Sequence, residues 1–353
     1  MLSRVIPPFI TVLLLASTLS AQQGSPDSVD EFVRAQMRAQ NIPGLALAVI
    51  RDGRVIKAAG YGLANRKTQQ PVTPETVFKI ASVSKQFIAT GIMLLVQDGR
   101  LRIDDPITKY LDGAPVAWNA ITVRHALTHT GGLVREAPGY DWEKPQPDAT
   151  VIRSAYSRPL LFQPGGKWEY SNVGYFILGE IISRVSGKPW PDFINERVFV
   201  PTGMTATYPT NTKGTIAQRA AGYTDNEKLD EAPEWMALRP SGAFLSTVLD
   251  LAKWDAMLYT DRILADSTKQ LMWTSVRLTD GRDHGYGFGW QLGAFRNRRM
   301  VHHGGGGPGI ASEFARFVDE RLSIILLINL DDVDSETLLY GIAGLYLAGA
   351  EHW

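Results

Sequence analysis

The sequence predicts an α+β fold: one antiparallel β-sheet flanked by terminal helices, carrying a large, mostly helical insertion. Three observations predict it. Strand-like runs cluster at the two ends of the chain, at residues 45–50 and 55–59 and again at 288–292, 310–318 and 322–330. Between them, about 81–285, helical runs at 85–98, 174–185 and 247–259 are separated by Gly/Pro-rich connections. Helical patterns also stand at about 25–40 and at 334–347. The expected organisation is a leader at 1–21 and one domain at 22–353, with a sheet part at about 25–80 and 286–353 and a helical part at about 81–285.

In chain order, Arg4 gives a short positive start, residues 5–16 are mostly apolar around Pro7 and Pro8, and small residues follow through Ala21. That is the pattern of a cleaved export signal. An uncleaved anchor is the alternative, but a spanning helix needs about 20 apolar residues and the unbroken run covers only 9–15. The chain is therefore expected to be periplasmic or secreted, with no stable membrane span. Ser25 to Asp27 offer a cap for the first helix, which Pro43 and Gly44 end. Asp52-Gly53 between two apolar runs predicts a tight hairpin, and residues 61–80 read as loop. The sheet and helical parts would meet at a cleft, where ligand sites commonly lie.

Composition narrows the chemistry. Among 353 residues, Lys+Arg and Asp+Glu number 36 each, so the formal net charge is zero and no nucleic-acid partner is expected. There is no cysteine, which excludes a thiol nucleophile, disulfides and thiolate zinc sites. His125 and His129 have the i, i+4 spacing of a zinc helix, but Ala126 stands where the glutamate of H-E-x-x-H belongs. Their expected roles are structural hydrogen bonds in a buried turn; no metal and no cofactor are expected. No G-x-S-x-G elbow is present. Tyr140, Trp142, Tyr223 and Tyr286 either line the cleft or pack in the interior.

Three constellations can carry chemistry. Ser82 and Lys85 stand three residues apart where a long apolar helix should begin, which places them on one face. A serine hydroxyl needs a neighbouring base, and a desolvated lysine can serve as one. Tyr170-Ser171-Asn172 follows a Gly-rich loop; the phenol can relay a proton and the amide can orient a substrate carbonyl. His303 precedes a glycine run through Gly307, between two strand candidates. Glycines there let a substrate backbone approach a strand edge. Gly304, Gly306 and Gly309 also match G-x-G-x-x-G, but no βαβ unit surrounds them.

With these residues in view, the sequence resembles the β-lactamase-related serine hydrolases: class C β-lactamases, low-molecular-weight DD-peptidases and related esterases. The resemblance rests on five segments in the family's order, at 78–85, 121–133, 162–179, 241–254 and 301–309. It implies a β-lactamase/transpeptidase-like fold. Ser82 would be the acylated nucleophile, and Lys85 and Tyr170 would share the proton traffic, with the main base left open between them. Asn172, His303 and Gly305 would bind substrate, and the backbone N–H groups of Ser82 and Gly306 would form the oxyanion hole. His303 replaces the lysine of the family's Lys-Thr-Gly motif, so carboxylate recognition should be weaker. The expected activity is hydrolysis of small esters, amides or D-amino-acid peptides. A true β-lactamase or D-Ala-D-Ala carboxypeptidase is the runner-up, and a non-catalytic cell-wall peptide-binding module the alternative of another class. The expected partner is a small-molecule or short peptide substrate, with oligomeric state open.

Overall fold

A computed structural model describes residues 26–347, apart from 142, 214, 226 and 233–238. The leader expected at 1–21 and the cap at Ser25 lie outside the described residues, as does Trp142. Helix α1 spans Pro26–Ala39. Strands β1 (Gly44–Arg51) and β2 (Arg54–Asn65) form the predicted hairpin. Its turn residues Asp52 and Gly53 both have positive φ, 53° and 71°, as a type I′ turn requires. A two-residue strand β3, Gln70–Pro71, extends the sheet within the stretch expected to be loop.

The helical part follows, with α2 (Lys85–Gln97), α3 (Asn172–Ser186) and α4 (Val248–Met257) at its centre. Every residue of α2 from Lys85 to Leu95 is buried. Such all-round burial marks a central helix rather than a surface one. The chain then returns to the sheet as β4 (Gln291–Phe295), β5 (Arg298–Gly307), β6 (Ile310–Phe317) and β7 (Leu322–Ile328), and closes with α5 (Ser335–Leu347).

The seven strands run β3-β2-β1-β7-β6-β5-β4, antiparallel throughout. Alternation in β1 splits its side chains between two cores. Leu45, Leu47 and Val49 join Val29, Val33 and Met37 of α1 and Leu338, Leu339 and Ile342 of α5. Ala46, Ala48 and Ile50 face the helical part. Each fully buried aliphatic side chain contributes about 1.5–3 kcal/mol, so the sheet is held from both faces. Among the described residues, no helix is long and apolar enough to cross a membrane.

Two local expectations are corrected. The strand expected at 288–292 begins at Gln291, because Gly289 takes a positive φ of 76° and turns the chain before it. The glycine run does not lie between strands. It is the second half of β5, paired residue by residue with β6 from Met300↔Phe317 to Gly307↔Ile310. Glycine's poor strand propensity is overridden here by pairing with β6. On its other side, β5 pairs with β4 only as far as His302. Residues 303–307 therefore present an edge that β4 does not cover.

Candidate active site

The open edge of β5 and the turn that leads into α2 together line a cavity of about 650 Å³. Ser82 sits in a 3₁₀ turn, Ala81–Ser84, that leads into α2, so the helix proper begins three residues later than the serine. Ala81 holds φ at 42°, a conformation that costs a non-glycine residue about 1–3 kcal/mol. Ser84 secures the turn from behind by accepting from the Phe244 amide at 3.2 Å. Ser82 itself is partly exposed to the cavity.

Lys85 lies one turn on and is fully buried. Its Nζ lies 3.1 Å from Ser82 Oγ and donates to Asn172 Oδ1 at 2.9 Å and to the Ser241 carbonyl at 2.8 Å. Burial first, then the cations of Arg239 and Arg135, hold its amine well below the usual lysine range, with Glu136 opposing. A neutral amine has two N–H groups and one lone pair. The acceptors at Asn172 and Ser241 take both N–H groups, which leaves the lone pair for the Ser82 hydroxyl proton.

Tyr170 and Asn172 are placed by the cap of α3. Ser171 Oγ accepts from the Gly174 amide at 3.1 Å and donates to the Val134 carbonyl at 2.8 Å. The Tyr170 ring lies 4.7 Å from Lys85 Nζ and 5.0 Å from the Arg135 guanidinium. Burial pushes its phenol up to about 12, and interaction with the Ser82 side chain draws it partly back. Tyr170 is therefore protonated at neutral pH, beside the serine. Asn172 accepts from Lys85 at Oδ1 and donates from Nδ2 to Glu136 Oε1. One N–H of its amide stays available.

Gly305 shows why β5 carries glycine. A Cβ there would lie 2.4 Å from Ser312 Oγ, 2.7 Å from the Ile80 carbonyl and 2.9 Å from the Ser82 amide nitrogen. At Gly306 a Cβ would meet nothing within 4 Å, and its backbone lines the cavity with Ser82.

His303 lines the same cavity and is held in place from behind. It is 2% exposed, and both ring nitrogens are engaged. Nδ1 pairs with the Gly304 carbonyl at 2.6 Å and Nε2 with Tyr286 OH at 2.9 Å. A carbonyl only accepts, so Nδ1 carries the proton and Nε2 accepts from the phenol. Tyr286 in turn pairs at 3.1 Å with Nε2 of His129, whose Nδ1 accepts from the Ser171 amide at 3.1 Å. Burial, opposed by the bond to the Gly304 carbonyl, pushes His303 down to about 3. It is a neutral, buried support for the strand, not a cation offered to a ligand.

His129 makes the structural hydrogen bonds expected of it, and His125 caps its own short helix through Thr122. Of the aromatics, Tyr286 backs the cavity wall, Tyr140 lies under the Arg239 guanidinium at 5.0 Å, and Tyr223 joins the core beneath the terminal helices. Sequence reasoning missed Glu136, Arg239 and Ser241. Arg239 Nη2 bonds both Glu136 oxygens at 3.1 Å and its Nε bonds Ser241 Oγ at 3.0 Å, so the three position Asn172 and Lys85 as a unit. Ser241 heads the fourth family-like segment, but its contact with Lys85 is a backbone carbonyl, which leaves no mark in a sequence.

Comparison with known proteins places this geometry. The family model for beta-lactamase matches residues 29–345. Penicillin-binding protein 4* of Bacillus subtilis is 31% identical over 315 residues, covering 82% of this chain and 68% of the relative. The chain spans about two thirds of the length of the first curated relatives it matches. Among solved structures, the octameric penicillin-binding protein homologue from Pyrococcus abyssi superposes with a TM-score of 0.80 at 27% identity, over 91% of this chain and 77% of that one. The D-amino acid amidase from Ochrobactrum anthropi SV3, complexed with L-phenylalanine amide, gives a TM-score of 0.78 at 26% identity, over 91% and 98%.

Proposed function

The chain belongs to the beta-lactamase family, and from that premise we propose that it is a serine hydrolase cleaving small esters, amides or D-amino-acid peptides through an acyl ester on Ser82. One observation carries this reading: a buried lysine amine, held well below its usual range, bonded at 3.1 Å to a cavity-facing serine hydroxyl.

In the proposed reaction the substrate carbonyl lies between Ser82 and the open edge of β5. Neutral Lys85 takes the Ser82 proton as Oγ bonds the carbonyl carbon. The carbonyl oxygen, now an anion, is held by the backbone N–H groups of Ser82 and Gly306; one such donor is typically worth about 10²–10³ in rate. Protonated Tyr170 gives its proton to the departing amine or alcohol and is reprotonated by Lys85. Water then attacks the ester as Lys85 accepts its proton, and on collapse Lys85 passes that proton to Ser82 Oγ, releasing the acid and restoring the serine hydroxyl and the neutral amine. Lys85 is the main base here because a phenol near 12 yields its proton less readily than the depressed ammonium.

A second reading is a β-lactamase or D-Ala-D-Ala carboxypeptidase; the name of the Bacillus relative, a penicillin-binding protein, supports penicillin recognition. Neutral His303 favours the first, because a substrate carboxylate would meet no cation at that position. Labelling with a serine-reactive phosphonate tests the nucleophile: wild type should gain one adduct and Ser82→Ala none. Ester turnover beside nitrocefin turnover separates the two readings, with esters expected to be faster. Capture of peptidoglycan fragments without turnover of any ester or amide would point to a binding module instead.

A further inference from the structure

The cavity at Ser82 has a second wall that the proposed reaction does not use. Glu313 of β6 stands opposite Gly304 in the strand register, and Glu336 lies in the first turn of α5. Both line the same cavity as Ser82. Glu313 is only 5% exposed. Its Oε1 accepts from Ser335 Oγ at 2.8 Å, and among the described residues no hydrogen bond reaches its Oε2. The charged group acting on it is Glu336, of like sign. His302, on the neighbouring strand, supplies no cation, because burial pushes it down to about 4. A desolvated carboxylate without a positive partner is unfavourable, and burial, opposed by Ser335 and reinforced by Glu336, pushes Glu313 up to about 7.

Gly304 determines what the cavity meets here. A Cβ at that position would lie 3.0 Å and 3.2 Å from the two Glu313 oxygens, so any side chain would stand against the carboxylate. Without one, the carboxylate takes that place in the wall. Arg135 and Arg239 line the cavity as well, but the Arg239 guanidinium is already paired with Glu136.

We propose that Glu313 and Glu336 form a subsite for a cationic group, an ammonium or guanidinium, carried by the ester or amide that acylates Ser82. The inference rests on the proposed function, since it assigns the cation to the substrate of that serine. An entering ammonium supplies the N–H donor and positive charge that Glu313 lacks and offsets its repulsion from Glu336. A substrate carboxylate at the same place would be repelled by both.

The test is the second-order rate of Ser82 labelling by matched phosphonates ending in an ammonium, a methyl or a carboxylate, placed on the alkyl arm and on the leaving arm in turn. On one of the two arms the ammonium probe should react at least about tenfold faster than the methyl probe, about 1.4 kcal/mol, with the carboxylate probe slowest. Glu336→Gln should reduce that ratio and Glu313→Gln should bring it close to one. Glutamine keeps the size of Glu313 and its acceptor for Ser335; if that variant does not fold, Glu336→Gln, at an exposed position, decides the matter alone. Equal wild-type rates on both arms, or a ratio untouched by the substitutions, overturn the subsite and leave the nucleophile standing. Absence of labelling by every probe removes the nucleophile and the subsite together.

Discussion

A Cβ placed on Gly305 would stand 2.9 Å from the amide nitrogen of Ser82. The Ser82 turn and strand β5 thus approach backbone to backbone, with the Ser312 hydroxyl bonded at 3.0 Å to the Ile80 carbonyl in the same gap. No rotamer relieves a clash made by Cβ itself, so Gly305→Ala must move β5 or the turn. Oxyanion donors act only within about 2.7–3.1 Å of the developing charge. The expected result is a loss of about 10²-fold or more in kcat/KM for an ester, with about 1–3 kcal/mol lost in urea unfolding. Gly306→Ala, which meets open space, should unfold within about 0.5 kcal/mol of wild type. Equal stability and activity for Gly305→Ala would contradict the close approach.

The charges around Lys85 give the acid limb of the pH profile a sign. In the proposed reaction Lys85 works as the neutral amine, so kcat/KM should rise with pH and level off above the Lys85 pKa. Arg239 disfavours the ammonium and Glu136 favours it. Arg239→Gln should therefore move the limb to higher pH and Glu136→Gln to lower pH. Ester kcat/KM measured from pH 5 to 10 for both variants checks this; shifts in the same direction would rule out Lys85 as the titrating group.

What was legible in the sequence divides by range. The Asp52-Gly53 hairpin was legible because two positive φ angles demand those residue types locally. The Ser82–Lys85 pairing was legible because one helical turn spaces them. Strand β5 was not, because Gly304 to Gly307 carry no strand propensity of their own and pair only through β6. The partners of His303 were not legible either: Tyr286, which donates to its Nε2, comes from a loop 17 positions earlier. The Glu136–Arg239 pair spans 103 positions, so nothing short of the fold brings it to Asn172.

A buried ion pair ties the sheet to the helical part. Arg316 of β6 and Asp255 of α4 are 1% and 0% exposed and meet at 2.7 Å. Ser323 Oγ adds a bond of 2.6 Å to the same Asp255 oxygen, and the guanidinium lies 4.5 Å from the Tyr259 ring. Removing one partner leaves the other charge buried, which typically costs about 3–5 kcal/mol. Asp255→Ala should lose that much in urea unfolding. The double variant Asp255→Ala, Arg316→Met should be more stable than the single one, because no charge is then left unpaired. A double variant as unstable as the single would mean that packing, not charge, is what Asp255 supplies.

Buried titratable groups set the direction in which acid acts on the fold. Burial holds His303 at about 3 and His302 at about 4, and His129 well below its usual range. The unfolded chain takes up these three protons near 6.5, whereas the folded chain refuses them, so each lowers stability as pH falls. Glu313 and Asp148 act oppositely, since burial raises both to about 7 and the folded chain takes their protons first. His125 and His284 are shifted the same way, so the histidines outweigh the two carboxylates and stability should fall as pH drops through about 6.5. Glu313→Gln removes one opposing proton and should steepen that fall. Urea unfolding of both proteins at pH 6.5 and 5.0 measures it. A wild type that grows more stable over that interval would mean that the histidines are not held neutral in the folded state.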